Sequence, residues 1–370
     1  MPADAIQDRQ YSMLVEPLQL IKHFLAHPPM NFETTLTPSG TPVFFTRFDL
    51  LTTADKSLKR LLARLPLFQV WRHWLQPRSM FAGTTVSEYV PLPDNCSPSV
   101  LVDELLRGLL RDGPREHSFV IIKDIPHASP LLDEGSNAFA QALEDECRAA
   151  GFTLVEGQAL AWVPIDFFSA HEFVARLSSG RRRDIRRKLR RRAELAIEVL
   201  PTGAPQFGSA QTRAQLYRLY RNVYEQSDVH FDLLSPEFFD AVLQDPTSGG
   251  RIFLYRHNGR LIGHNVCFVI GDTLIDKYIG FEYPTARHYN LYVVSWMLNL
   301  DYAASHGLKR YIAGWTDPQI KAYLGANFTF TRHAVYPRNR LIRALLTHFR
   351  RRFESDRAWF DRNIHETDGS

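Results

Sequence analysis

The sequence predicts an α+β protein built in two halves. Three observations point there. At 370 residues the chain is long for a single core. Its second half reads as two helices, three strands, a long helix, a strand, a short helix and a strand. The turns between those three strands, Asn258-Gly259 and Gly271-Asp272, are hairpin signals, so the sheet they join is mostly antiparallel.

Each element follows from a local pattern. Val15 to Leu25 reads as a helix ended by His27-Pro28-Pro29, and Pro42 to Asp49 as a strand. Ala54 to Leu65 has helical spacing (Leu58, Leu61, Leu62, Leu65), and Leu67 to Trp74 is a short aromatic strand. Pro91 to Pro98 reads as a loop, Val100 to Leu110 as a helix and Ser118 to Ile125 as a buried strand. Asn137 to Ala150 is a helix stopped by Gly151, and Phe152 to Val163 forms strand. Phe167 to Leu177 is helical until Ser178-Ser179-Gly180 breaks it. A second helix then opens at Arg181, with Ile185, Leu189, Ala193 and Ala196 as a narrow apolar stripe.

Gln211 to Gln226 and Ser235 to Leu243 are helices. Arg251 to Tyr255, Leu261 to Ile270 and Thr273 to Phe281 are the three strands. A nine-residue loop, Glu282 to Asn290, leads into the helix Leu291 to His306, which Gly307 ends. Leu308 to Ala313 is a strand, Asp317 to Leu324 a short helix closed by Gly325, and Phe328 to Tyr336 the last strand. Leu341 to Trp359 is an amphipathic helix with Leu345, Phe349 and Phe353 inward. Its Arg343, Arg350, Arg351 and Arg352 make peripheral membrane contact an alternative to packing.

Composition narrows the class. A chain 45% hydrophobic and 12% aromatic packs a core and is not disordered. Cys96, Cys147 and Cys267 are far apart and lack metal or disulfide spacing. There is no basic patch followed by an apolar run at the N-terminus, and no run of ~18 apolar residues. The expectation is a cytoplasmic protein with no integral membrane segment, no metal and no permanently bound cofactor. No P-loop, Gly-x-Ser-x-Gly, His-Glu-x-x-His or dinucleotide fingerprint is present.

Charge is concentrated. Arg181 to Arg192 holds nine cations in twelve residues, although the whole chain carries only +4. Taking away those nine and Asp184 leaves 35 basic against 39 acidic residues, a net −4. One element therefore carries the excess. Arg186, Arg187, Arg190 and Arg191 are candidates to contact a phosphate or an acidic carrier protein, the alternative being a solvated structural helix.

The order of elements resembles the GNAT acyltransferase domain. The junction Phe173-Val174-Ala175-Arg176-Leu177-Ser178-Ser179-Gly180, running into the arginines, looks like that of the FemAB-like and CelD-like branch. The resemblance covers roughly residues 40–340. It implies two tandem GNAT-like domains, each a mixed, mostly antiparallel sheet flanked by helices. The implied segments are an N-terminal arm (1–30), a first GNAT-like half (31–165), basic linker helices (166–200), a second, catalytic half (201–340), and a C-terminal helix and tail (341–370).

The resemblance also implies a function: transfer of an acyl group from an acyl-thioester, on CoA or an acyl carrier protein, to a small-molecule amine. The alternatives are aminoacyl transfer from tRNA, or a non-catalytic protein whose arginine helix binds nucleic acid or another anion. The donor's phosphates would lie at the start of the helix near Leu291, where unpaired amides and the helix dipole favour an anion. The candidates there are Arg287, His288, Tyr289, Asn290 and Leu291, although the family's Gln/Arg-x-x-Gly-x-Gly/Ala spacing is missing. Lys321, in Lys-Ala-Tyr-Leu-Gly, resembles a recurring lysine of the branch and is a candidate to neutralise a phosphate or an oxyanion. Tyr323 is a candidate proton donor. Strand alternation sends Asp276 and Tyr278 to one face, with Asp276 a candidate proton acceptor and His264 a candidate base.

Overall fold

One order of elements is repeated in two units. The computed structural model describes residues 6, 9–49, 76–111, 117–227 and 231–349. The expected helix 54–65, the expected strand 67–74 and the final helix beyond residue 349 lie outside them. The chain divides into two units. The first takes residues up to Val15, Phe24–Ala159 and Thr329 onward, and the second takes Glu16–His23 and Leu160–Phe328.

In chain order the elements begin with β1 (Tyr11–Ser12), α1 (Leu18–Ala26), β2 (Glu33–Leu36), β3 (Pro42–Arg47), β4 (Arg78–Ala82) and β5 (Leu92–Pro93). There follow α2 (Pro98–Arg111), β6 (Phe119–His127), α3 (Glu134–Ala149) and β7 (Thr153–Pro164). In the first unit, β2, β3 and β4 are antiparallel neighbours, and β6 lies parallel to β4 after the α2 crossover. The β4–β6 pairing ends at Ala82 opposite Ile122. Past that point Thr84 to Val90 are largely buried. Val90 donates its amide to the Asp124 carbonyl (3.1 Å), and Lys123 Nζ donates to the Thr84 carbonyl (2.8 Å). The gap beyond the last pair is therefore filled by the unit's own chain.

The second unit continues with α4 (Ala170–Ala175), α5 (Ser179–Leu189), β8 (Ala196–Pro201), α6 (Ala210–Gln226) and α7 (Pro236–Gln244). Then come β9 (Gly250–His257), β10 (Arg260–Ile270), β11 (Thr273–Phe281), α8 (Thr285–His288), α9 (Leu291–Ser305), β12 (Arg310–Gly314) and α10 (Pro318–Tyr323). The chain closes with β13 (Asn327–Pro337) and α11 (Arg340–Phe349). Asn258 (φ 48°) and Gly259 (φ 76°) supply the two left-handed positions of the β9–β10 turn. β8 to β11 are antiparallel neighbours, and β12 lies parallel to β11 after the α9 crossover.

In each unit the run of paired strands takes in one from elsewhere in the sequence. In the second unit β12 pairs with residues 161–164 of β7, and in the first β6 pairs with residues 330–337 of β13. β13 makes the first unit discontinuous in sequence, and the inclusion of Glu16–His23 does the same for the second.

Two expectations are corrected. The arginine helix stops at Leu189, and residues 190–194 form a 3₁₀ turn into strand β8. Ile185 is buried and Leu189 packs on the core, but Ala193 and Ala196 are exposed, so the apolar stripe ends where the helix does. Beyond it, three more arginines add like-charge repulsion with no buried face to offset it. The helix expected over 167–177 shortens to α4 because the Ser169 side chain caps it, accepting the Glu172 amide (3.2 Å).

α9 anchors the second core. It is apolar on nearly every side, burying Leu291, Val293, Val294, Trp296, Met297, Leu298, Leu300 and Ala303. The opposite sheet face carries Tyr220, Phe238 and Phe239 against Tyr278. Among the described residues no helix is long and apolar enough to cross a membrane, and no group of His, Cys, Asp and Glu is arranged to hold a metal ion.

Candidate active site

The site begins where two strands part. β11 and β12 pair only at Thr273–Arg310, Leu274–Tyr311 and Ile275–Ile312. β11 then runs on to Phe281 while β12 ends at Gly314. The strand edge left without a ladder partner must find other hydrogen bonds. One is made within the unit, where Asn222 Nδ2 donates to the Phe281 carbonyl (3.1 Å).

A cleft of about 730 Å³ opens beside this edge. Ile279 and Phe281 form its strand wall. Asn290 to Val293 bring the N-terminal turn of α9, Val223 comes from α6, and Asp317, Ile320, Tyr323 and Leu324 from the α10 segment. Most of this lining is apolar. Its polar end is made by Asp184 and Lys188 of α5 together with Tyr323.

These three groups form one network. Tyr323 donates its hydroxyl to Asp184 Oδ2 (2.7 Å), and Lys188 Nζ pairs with the same oxygen (2.7 Å). Those two hydrogen bonds, with Lys188 the stronger influence, hold the Asp184 carboxyl down at about 2. Burial and the bond to Asp184 push the Tyr323 phenol up to about 12. Sequence reading singled out Tyr323 but missed Asp184 and Lys188, which look like ordinary members of a charge run. The signal that finds them is their spacing of four residues, which sets both on one helix face.

The loop before α9 is more closed than its sequence suggests. The amides of Ala286, Arg287, His288, Tyr289 and Asn290 each donate to a backbone carbonyl within residues 282–287. Only the first-turn amides of α9, at Leu291 and Tyr292, lack a carbonyl by helix geometry. Asn290 sits in the left-handed conformation (φ 52°) that turns the chain into the helix. Arg287 lines the cleft, donating to Gln226 Oε1 (2.8 Å) and lying 5.2 Å from the Tyr283 ring centroid. His288 is bonded by Arg191, and Tyr289 packs beside the His257 ring. Of the five loop candidates, Arg287, Asn290 and Leu291 reach the cleft lining, whereas His288 and Tyr289 do not.

Asp276 and Tyr278 point to opposite faces, contrary to simple alternation. A β-bulge at Lys277 sets Val266 against Tyr278 but Cys267 against Asp276, so the extra residue reverses the side-chain order. Asp276 faces α9, where its Oδ2 accepts from Tyr311 (2.9 Å), Asn299 (3.0 Å) and Asn265 (3.3 Å). Burial raises this carboxyl to about 6, against the lowering effect of the Tyr311 and Asn265 bonds.

Lys321 is buried on the inner side of α10, and its ammonium donates to the Ala313 (2.6 Å) and Gly314 (3.0 Å) carbonyls at the end of β12. It therefore stands near the apex of the gap, close enough to Asp276 to stabilise its charge. His264 lies apart. It is enclosed under the Phe239 ring, neither ring nitrogen has a partner, and burial pushes it down to about 3. Such a ring is neutral, and His264, like Asp276 and Lys321, is not among the residues that line the cleft.

Comparison with known proteins agrees with this geometry. Residues 179–322 match the model of the acetyltransferase (GNAT) domain. A putative 8-amino-7-oxononanoate synthase 2 of Mycobacterium tuberculosis (strain CDC 1551 / Oshkosh) is 30% identical over 205 residues, covering 52% of this chain and 26% of that protein. The chain thus spans about a quarter of the length of the curated relatives it matches. The C-terminal domain of a putative lysylphosphatidylglycerol synthetase from Agrobacterium fabrum superposes with a TM-score of 0.52 at 14% identity, over 93% of this chain and 92% of that one. FemX gives 0.52 at 11% identity, over 93% and 97%. At such identities the structural likeness concerns the fold alone. Residues 179–322 of this chain are thus similar to the acetyltransferase (GNAT) domain, within a fold shared with FemX.

Proposed function

We propose that the protein is an N-acyltransferase that moves an acyl group from an acyl-thioester to a small-molecule amine. The observation that carries this reading is the unpaired edge of β11 beside an apolar cleft. A free strand edge offers N–H and C=O groups to the amides of a pantetheine arm, as a sheet edge does to an added strand. The apolar walls suit an acyl chain. Arg287 and the amides of Leu291 and Tyr292 suit a phosphate at the cleft's end.

The chemistry follows from orientation and modest proton transfer. The amine nitrogen bonds to the thioester carbonyl carbon and the C–S bond breaks. Lys321, at the apex of the gap, is the group to stabilise the oxyanion formed between those events. The amine's proton passes to Asp276, and the leaving thiolate takes one from Tyr323. Solvent returns the first proton to the second site.

A base must be ionised to act. With Asp276 raised to about 6, kcat/KM for an octanoyl-thioester and an amine should climb as pH rises through about 6. Thiol release measured across pH 5–8 checks this. In Asp276→Asn the inflection should vanish along with most of the rate. A wild-type profile without that inflection removes Asp276 from the reaction, and no thiol release from any thioester defeats the reading. Release of an amino acid from aminoacyl-tRNA instead would favour aminoacyl transfer.

A further inference from the structure

We infer that the acyl donor arrives on a small acidic carrier protein, which docks on the outer face of α5 and of the 3₁₀ turn (Arg190–Glu194) that follows it. This rests on the thioester reading above and names the partner that reading leaves open.

Five arginines occupy that face. Arg183, Arg186, Arg187, Arg190 and Arg191 are all exposed, and they recur at intervals of three and four residues. Arg187 pairs with Asp184 and Arg191 bonds His288, whereas Arg183, Arg186 and Arg190 have no ion pair or hydrogen bond among the described residues. The remaining cations of the run are held inward. Arg182 donates to the Ala175 (3.0 Å) and Leu177 (3.2 Å) carbonyls, and Arg192 pairs with Asp301 (3.3 Å). The helix thus spends part of its charge on its own fold and leaves a compact cationic face unneutralised. Such a face costs self-repulsion unless a partner offsets it.

That face borders the cleft. Asp184 and Lys188, on the inner side of the same helix, line it, and Arg191 reaches the loop residue His288. A partner bound to the arginines would hold a tethered acyl group at the cleft. The loop's amides point the same way. Because those of residues 286–290 are already bonded, little is left to cradle a diphosphate of the kind a nucleotide thioester carries. Two helix amides and Arg287 match the single phosphate of a carrier's pantetheine arm better.

An acidic protein fits this face better than RNA. From Arg183 to Arg191 the face spans about 13 Å (at ~1.5 Å per residue in the helix and ~2.0 Å in the 3₁₀ turn), the size of one acidic helix and not of an extended phosphate track. The face holds arginines without aromatic side chains, so it offers bases no stacking platform.

Fluorescence anisotropy with a labelled acidic acyl carrier protein, octanoyl-loaded, tests the inference. Wild-type protein should bind it, and about tenfold more weakly in about 500 mM than in about 50 mM salt. Arg186→Glu with Arg190→Glu, checked for an unchanged thermal midpoint, should weaken binding at least about tenfold. Should that variant not fold, Arg186→Gln with Arg190→Gln should weaken it about threefold. Absent binding, salt-independent binding, equal binding by the variants, or tighter binding of a single-stranded RNA would each overturn the inference. The two readings fail separately. Turnover of octanoyl-N-acetylcysteamine without carrier binding leaves the transferase and removes the carrier. Carrier binding without turnover of any thioester does the reverse.

Discussion

Tyr323→Phe is expected to lower kcat by about 10²–10³-fold while leaving the fold intact. The hydroxyl is the atom lost, and its one hydrogen bond runs to Asp184. Asp184 keeps Lys188 (2.7 Å) and its pairing with Arg187, so its charge stays compensated. The stability cost should therefore stay within the ordinary net worth of a hydrogen bond, about 0.5–1.5 kcal/mol. The kinetic cost is larger because a phenol held at about 12 remains a proton donor throughout the neutral range, and phenylalanine supplies no proton. The split between kcat and KM is informative. A residue that merely packs the cleft would raise KM and spare kcat, whereas a proton donor acts in the transition state. Undiminished kcat in this variant would return Tyr323 to a packing role.

Gly280→Ala should destabilise the second unit by about 1–3 kcal/mol, which lowers its thermal midpoint by roughly 2–12 °C. Gly280 lies directly across from His264 on β10. A Cβ added there would overlap His264 Cε1 and come within 2.7 Å of the Tyr220 amide nitrogen. The imidazole can yield only into a packed aromatic core, and the backbone of α6 cannot yield cheaply. Its neighbours Ile279 and Phe281 are the strand wall of the cleft, so the displacement should also raise KM for the thioester. Adding His264→Ala should restore part of the lost stability, a non-additive result expected of touching residues. A calorimetric scan of the four proteins checks this, and strictly additive losses would contradict the packing account. The same cycle separates two roles for His264, since a ring that only fills space leaves the chemistry intact when replaced.

Much of the second unit could be read from its residues. Asn258-Gly259, Gly271 and Gly307 punctuate it, and the elements between them fall within a residue or two of where periodicity puts them. The GNAT resemblance was legible for the same reason. What escaped was anything set by pairing. Ala196–Pro201 looks like the tail of a charged helix, and only its alignment with β9 makes it a strand. β2 and β4, of four and five residues, are too short to show a period and become strands through pairing with β3 and β6. A bulge at Lys277 cannot be seen in one strand's sequence, yet it decides which way Asp276 points.

Within the site, the legible part was its location and the hidden part its wiring. Tyr323, Arg287, Asn290 and Leu291 were found because helix starts and short helices are sequence features. Asp184 and Lys188 were obscured by the cations around them. The expected anion cradle in the loop was incomplete because sequence does not reveal which amides a short helical turn consumes. The two units make the same point by contrast. In the first, residues 84–90 fill the gap beyond the last β4–β6 pair. In the second, the equivalent gap opens onto the cleft. The order of elements is shared, and among the described residues the gap of the second unit has a cleft beside it.

That room is the central claim. A crystal structure with a non-hydrolysable thioether analogue of octanoyl-pantetheine tests it most directly. The account predicts the arm lying between β11 and β12, its amides bonded to the Asp276–Phe281 edge and its chain among Ile279, Phe281 and Leu291. A gap closed by its own side chains, with the analogue bound elsewhere or absent at saturating concentration, would contradict it.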